Sequence, residues 1–472
     1  MLFNSWIFAP FLLIVLALHA PLGRRGQNVL LLVASYVFYG AWDYRFLFLL
    51  LASTVIDFEL GLALAKARDL ARRRSLLVMS VAVNLGILAF FKYSNFFIEN
   101  ARVLIEALGG SPGAMRGLEV ILPVGVSFYT FQSLSYTIDI YRGELEPTDD
   151  FLDYAIFVAF FPQLVAGPIE RASWLLPQVQ KPRVRTRDDW VEGGWLILWG
   201  YFKKMVIADN LAGYVDTAFN AASPPRGLAC LVAIYAFAFQ IYGDFSGYTD
   251  IARGLARWLG FDLQANFRLP YIARNPSEFW RRWHISLSSW LRDYLYVPLG
   301  GNRHGRARTY RNLLLTMVLG GLWHGAAWTF VLWGTYHGVL LVVHRWWTER
   351  HPDRPAPPRH SIRSRVSAFF MFHAACLGWL FFRSSSVSQA SDILTGVFSG
   401  LGWDLPTCQA FAAVVALGGI LWCVELWSGG LDDPRQRPGW RLGLGPWLVT
   451  ALLLGIVLLA PPTARSFIYF QF

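Results

Sequence analysis

Between Arg311 and Arg345 the chain carries no charged side chain, and within that run the stretch GGLWHGAAWTFVLWGTYHG (residues 320–338) is apolar and aromatic nearly throughout. A helix covers the hydrocarbon layer of a bilayer with ~20 residues at 1.5 Å each, so this run has room for two passes. Comparable apolar runs recur at about 6–21, 28–42, 46–65, 75–98, 120–141, 151–166, 191–208, 228–249, 367–382, 409–427 and 446–460. With 55% hydrophobic and only 15% charged residues among 472, the composition fits a polytopic membrane protein, since soluble domains carry ~25% charge. The expected fold class is all-α, a single membrane domain over 1–472 with about ten to twelve transmembrane or re-entrant helices.

Positive charge orients such a chain. The opening run lacks the basic start of a cleavable signal and has Arg24 and Arg25 behind it, so it reads as a retained first helix with its N-terminus outside the cytoplasm. Arg72, Arg73 and Arg74, the segment KPRVRTR (181–187), and Arg350, Arg354, Arg359, Arg363 and Arg365 all belong on the cytoplasmic face, which asks for a hairpin or re-entrant element within 312–344. The net charge of +11 is therefore mainly a matter of topology and not the footprint of a nucleic acid. Basic membrane loops also attract anionic lipid or a phosphate-rich cosubstrate. Cys230, Cys376 and Cys423 lie in apolar runs and Cys408 at the edge of one, and none has metal-ligand or disulfide-framework spacing.

The least ordinary segment is 250–311, with 11 arginines against four acidic residues. It reads as a basic cytoplasmic or interfacial re-entrant region. Within it, Asn275, Pro276 and Glu278 form a helix start of the capping-box type, and Pro298, Gly300 and Gly301 supply a stop, so 276–296 is expected as one helix. Its tryptophans and tyrosines alternate with Arg281, Arg282 and Arg292, as in a helix lying at a membrane surface. At 100° per residue, Ser288, Arg281 and Arg292 share a face with His284, and Asp293 points away. Elsewhere, Ser127, Thr130, Gln132, Ser133 and Ser135 suit helix-to-helix hydrogen bonding inside a membrane. FFPQLVAGPIER (160–171) predicts irregular backbone buried in protein. Asp244 and Asp250 are expected at a membrane edge.

An ionisable residue in a bilayer costs several kcal/mol unless it has partners or water, which makes His324 a functional candidate beside the plainer alternative of a satisfied core histidine. Gly325, Ala326 and Ala327 follow it and leave room beside the ring for a ligand. A neutral imidazole is suited to take a proton from a hydroxyl or thiol. His337 and His344 share a helix face, but no Asp, Glu or Cys completes a metal site, so no metal is expected and a structural or interfacial role is the simpler reading. His373 is a lone membrane histidine, and His19, His304, His351 and His360 read as interface or loop residues. There is no GxSxG elbow, P-loop or GxGxxG motif.

Five stretches together resemble the membrane-bound O-acyltransferases, specifically the bacterial alginate O-acetylation branch. They are VGVSFYTFQSLSYTIDIYRG, FPQLVAGPIER, FQIYGDFSGYTDIARGLARWLGF, NPSEFWRRWHISLSSWLRDYLYVPLGGNR and GGLWHGAAWTFVLWGTYHG, in family order across most of the chain. The resemblance implies helices around a central tunnel, His324 as the catalytic histidine, and His284 at the second histidine position of this branch. It also implies a cytoplasmic acyl donor, acetyl-CoA or a similar thioester, as cosubstrate with no permanently bound cofactor. Arg281, Arg282 and Arg292 are the candidates for the donor's phosphates. The acetyl group then crosses the bacterial inner membrane to periplasmic SGNH (esterase-like) acetyltransferase partners that modify an exopolysaccharide such as alginate; peptidoglycan and cellulose are the alternative acceptors. Gly243 departs from the larger residue found in many relatives beside Asp244. A transporter or flippase, or a non-catalytic scaffold, are the rival classes, although the chain shows no inverted repeat.

Overall fold

A computed structural model of the chain describes all residues except 112–114, 116, 119, 222–224, 354–357, 359–360, 401–403, 429–444, 463–464 and 469–472, so Arg354, Arg359 and His360 lie outside the described residues. Every regular element among the described residues is helical. The chain divides into two compact units, Met1–Trp190 with Leu255–Gln264, and Val191–Gly254 with Ala265–Phe472.

The first unit is built from α1 (Phe8–His19), α2 (Arg24–Gly40), α3 (Arg45–Lys66), α4 (Leu70–Leu88), α5 (Ser94–Ala107), α6 (Val126–Arg142), α7 (Phe151–Ala159), α8 (Phe161–Leu164) and α9 (Ala172–Gln180). Its centre is polar. Asp57 of α3 is fully buried and accepts hydrogen bonds from Ser80 Oγ (2.7 Å) and Asn84 Nδ2 (2.8 Å) of α4, and Ser80 in turn lies 3.0 Å from Thr137 of α6. Helices so tied have their polar atoms satisfied by one another where no water is at hand. The irregular segment after α7 is buried, as the Pro–Gly pattern predicts: Gln163 Nε2 donates to Phe157 O at 2.7 Å and Ser35 Oγ accepts from the Phe161 amide at 3.0 Å.

The second unit holds most of α10 (Arg187–Tyr201), then α11 (Asp209–Phe219), most of α12 (Leu228–Trp258), α13 (Pro276–Trp280), α14 (Ile285–Leu291), α15 (Arg306–His324), α16 (Trp328–Arg350), α17 (Ile362–Arg383), α18 (Val387–Gly396), α19 (Leu405–Ser428) and α20 (Gly445–Leu459). The long uncharged run is indeed two helices, α15 and α16, turned at Gly325–Ala327. They cross through glycines: a Cβ on Gly334 would stand 2.3 Å from Met317 O, and one on Gly321 2.3 Å from Phe330 O. Backbones this close gain packing that larger side chains forbid.

Among the described residues, five helices are long and apolar enough to cross a membrane: Arg45–Lys66, Leu70–Ala107, Leu228–Trp258, Ile362–Arg383 and Leu405–Ser428. That is fewer than the hydropathy runs suggest. The first run becomes a helix of only 12 residues and the last one of 15, both short of the ~20 a perpendicular crossing needs. The 120–141 run becomes α6, whose residues are nearly all buried and many of them polar, so its apolar character serves protein packing.

Asp244 and Asp250 lie within α12, where Asp244 pairs with Lys204 (2.6 Å) and Asp250 with Lys203 (2.6 Å), both lysines coming from a π-helical turn, Phe202–Ala208. The unusual Gly243 fits the same crowding, since its Cβ would meet Lys203 O at 3.1 Å. His19, expected at an interface or in a loop, is fully buried at the end of α1.

Candidate active site

The segment expected as one helix over 276–296 is broken. Asn275 does cap α13, accepting from the Glu278 amide at 2.8 Å, but the helix stops at Trp280 and restarts as α14 at Ile285. Between them His284 takes a left-handed backbone, φ 43° and ψ 56°, a conformation that costs an L residue ~1–2 kcal/mol. A second residue of the protein supplies what holds it. The fully buried Asn266 accepts through Oδ1 from the Ser286 amide (3.2 Å) and Ser286 Oγ (2.7 Å), and its carbonyl accepts from the Ile285 amide (2.9 Å). Asn266 thus does for α14 what an N-cap does from within the helix. After Leu291 the chain winds into a π-helical turn, Arg292–Tyr296.

The break redirects His284. A continuous helix would place it among arginines and serines; here its ring is fully buried, edge-on to Phe245 with ring centres 4.6 Å apart, and 6.4 Å from the ring of His324. The two histidines, 40 residues apart in sequence, are brought together.

His324 ends α15 and is 6% exposed. Aromatic rings enclose it: Trp323 and Trp333 at 5.0 Å and Phe382 at 5.2 Å between ring centres. The small residues after it do not leave free space, because a Cβ on Gly325 would stand 2.0 Å from the Phe330 ring. The space lies on another side. A cavity of about 210 Å³ touches His324 and is lined by Leu287, Ser288 and Arg292, by Thr316 and Met317 of α15, and by Trp333 of α16. It is smaller than the ~300–1,000 Å³ of pockets that take whole drug-sized ligands, so it suits the reacting end of a larger molecule.

The three candidate arginines part company. Arg292 lines the cavity, is largely exposed and forms a two-pronged pair with Asp293 (2.6 and 2.9 Å). Arg281 is exposed and forms no ion pair among the described residues. Arg282 is occupied: it donates to Glu278 (2.9 Å) and to Arg268 O (2.9 Å). Burial pushes the Glu278 carboxyl up, but hydrogen bonds from Arg274 and Arg282 outweigh it and hold the group below its ordinary range.

The remaining histidines take other places. His337 is fully buried, stacked on Phe279 with ring centres 6.0 Å apart, and His344 Nδ1 lies 3.4 Å from Ser277 Oγ. His373 is half-buried with Nδ1 2.8 Å from Phe369 O, while His304 and His351 are exposed. No group of three or more potential metal ligands occurs among the described residues. Sequence reading missed Asn266, Phe245 and Trp333, whose parts depend on contacts between segments far apart in the chain.

Residues 148–388 match the membrane-bound O-acyltransferase family. The chain is 43% identical to a probable alginate O-acetylase of Pseudomonas aeruginosa over 408 residues, covering 86% of this chain and 76% of that protein. It is 36% identical to a peptidoglycan O-acetyltransferase of Helicobacter pylori over 78% of this chain and 73% of the relative. A teichoic acid D-alanyltransferase of Bacillus subtilis is 26% identical over 55% and 68% respectively. These relatives share the transfer of an acyl group from a donor to a glycan or related polymer acceptor. This chain belongs to the membrane-bound O-acyltransferase family and is a multi-pass membrane O-acyltransferase.

Proposed function

We propose that the enzyme takes acetyl groups from acetyl-CoA, or a similar thioester, at the cytoplasmic face of a bacterial inner membrane, for O-acetylation of an alginate-like exopolysaccharide outside. The single observation that carries the site assignment is the convergence of His284 on His324, whose ring borders a partly open cavity. In this reading His324 is the general base. As the acceptor oxygen attacks the thioester carbonyl, its proton passes to the imidazole; the C–S bond then breaks and the proton leaves with the thiolate as a free thiol. Holding donor and acceptor in line, moving that proton and meeting the developing oxyanion each contribute ~10²-fold or more. His284 is the second polar group that orients a reactant.

The exposed Arg281, and Arg292, which lies at the cavity and is largely exposed although paired with Asp293, are placed to meet a donor's phosphates, whereas Arg282 is held between Glu278 and Arg268 O. The acceptor is favoured as alginate-like by the higher identity to the alginate relative, 43% against 36% for the peptidoglycan one. Final transfer outside the membrane falls to a periplasmic esterase-like (SGNH) partner.

The test is His324→Ala at matched membrane abundance, with base-labile acetate measured on isolated exopolysaccharide and on peptidoglycan. Loss of acetate from the exopolysaccharide alone is expected. Wild-type acetate in the variant removes the base assignment, and loss confined to peptidoglycan moves the acceptor.

A further inference from the structure

The segment Arg465–Ile468 is fastened into the second unit by buried charge. Lys204 pairs with Asp209 (2.7 Å) and Asp244 (2.6 Å), all three side chains nearly inaccessible. Asp244 has a second oxygen, and the Ile468 amide donates to it at 2.7 Å; Lys204 Nζ also donates to Ser466 O at 3.4 Å. Charges withdrawn from water are tolerable only with partners of this kind, so the backbone of the segment completes the pair. Arg465 adds a 2.6 Å bridge to Asp216, which Arg383 also reaches at 3.1 Å.

What these links hold in place is Phe467. Its side chain is 1% exposed and packs on Tyr248 and Phe245, with ring centres 4.9 and 5.7 Å apart. Phe245 is the residue whose ring meets His284 edge-on at 4.6 Å. A continuous line of contact therefore runs from the fastened segment through two aromatic rings to the histidine that faces His324.

We propose that Arg465–Ile468 is a positioning element of the active site: the ion pair clamps the segment, Phe467 backs Phe245, and Phe245 holds the His284 imidazole in register with His324. The proposal rests on the catalytic reading of those histidines. His284 needs such support because its backbone is strained and its ring lies at a junction between separate helices. A displacement of ~1 Å at a reacting group costs up to ~10²-fold in rate, so loosening Phe467 is expected to act on turnover more than on donor binding.

The experiment uses the full-length protein reconstituted in lipid vesicles, with Phe467→Ala and the milder Phe467→Leu. Two quantities are read: kcat and KM for acetyl transfer from acetyl-CoA, and carbethoxylation of each histidine by diethyl pyrocarbonate, located by mass spectrometry. His337, equally buried, reports general loosening. Phe467→Ala is expected to lower kcat about 10–100-fold with KM within about twofold. His284 should become reactive while His337 stays protected, and Phe467→Leu should restore most of both. Unchanged kcat, or a His284 that stays protected, overturns the proposal. If alanine opens both histidines, Phe467→Leu is judged by the same two readings. The protection of His284 is measured without turnover, so a His324→Ala variant that still transfers acetyl would refute the base assignment and leave the clamp separately decided.

Discussion

Replacing Asn266 by alanine tests how the active-site backbone is held. One carboxamide oxygen accepts both from the Ser286 amide at 3.2 Å and from its hydroxyl at 2.7 Å, and Asn266 is wholly buried. Leaving such buried donors unmet costs ~1–3 kcal/mol. Against this stands the ~1–2 kcal/mol that His284 gives up by adopting a left-handed backbone. In the variant the strain is no longer opposed by the side-chain cap, and the two segments stay joined by the bond from the Ile285 amide to the Asn266 carbonyl, 2.9 Å, and by the bonds between Arg268 and Arg282. The turn is then expected to relax toward ordinary helix or extended backbone for a large share of the time, swinging the imidazole out of register. With ~1.4 kcal/mol to each factor of ten, Asn266→Ala should lower kcat about 10–100-fold while the protein still inserts and purifies. Ser286→Ala, which loses only the hydroxyl bond, should cost less, and the double variant should fall short of the sum because both changes remove one shared contact. The assay is acetyl transfer from labelled acetyl-CoA in vesicles, with melting followed in parallel. If Asn266→Ala keeps its turnover within about twofold, the cap is not what sets His284 and the argument fails.

Three further outcomes follow from the geometry. Gly334→Ala puts a methyl where Met317 O stands 2.3 Å away, so α15 and α16 must part; a loss of ~1–3 kcal/mol is expected, seen as lower folded yield and melting temperature, and a normal melt would refute the crossing. Arg292→Ala should raise the KM for acetyl-CoA, more so at low salt, with kcat little changed, whereas Arg282→Ala should weaken the fold around Glu278; equal kinetic effects of the two would sink the distinction. Glu278 has its carboxyl held down when folded, so its stabilising share is complete above the ordinary glutamate range and is lost as pH falls through the depressed folded value. Glu278→Gln should accordingly flatten the acid side of the stability profile, and an unaltered acid limb in melts would contradict it.

Much of the fold was legible because the bilayer writes directly into composition. Runs such as 46–65 and 409–427 became α3 and α19 with little shift, and the uncharged 312–344 run became a helical hairpin as charge placement required. The failures have one cause. Hydropathy reports that a side chain avoids water without saying whether lipid or protein replaces it. Residues 120–141 and 151–166 are apolar because neighbouring helices cover them, and α6 and the segment after α7 are buried inside the first unit.

The site was legible in its residue types and illegible in its shape. His324 could be picked out because an imidazole in such surroundings needs a reason, and His284 entered through the family resemblance, yet the helical wheel drawn over 276–296 aimed His284 at arginines and serines. It pointed elsewhere because a wheel assumes that each turn is capped by its own neighbours. Here the acceptor that begins α14 is Asn266, 20 residues upstream, and a start signal of that kind leaves no local pattern to read. The same distance accounts for the overlooked Phe245, which meets the histidine from α12, and Phe467, which backs Phe245 from residues beyond α20. Buried charge follows this rule too: Lys204 and Asp244 stand in separate apolar stretches, and their meeting, completed by Asp209, makes them tolerable where they stand. Local sequence therefore names the groups able to do the chemistry, and the long-range contacts that break helices and bury ion pairs decide which of them meet.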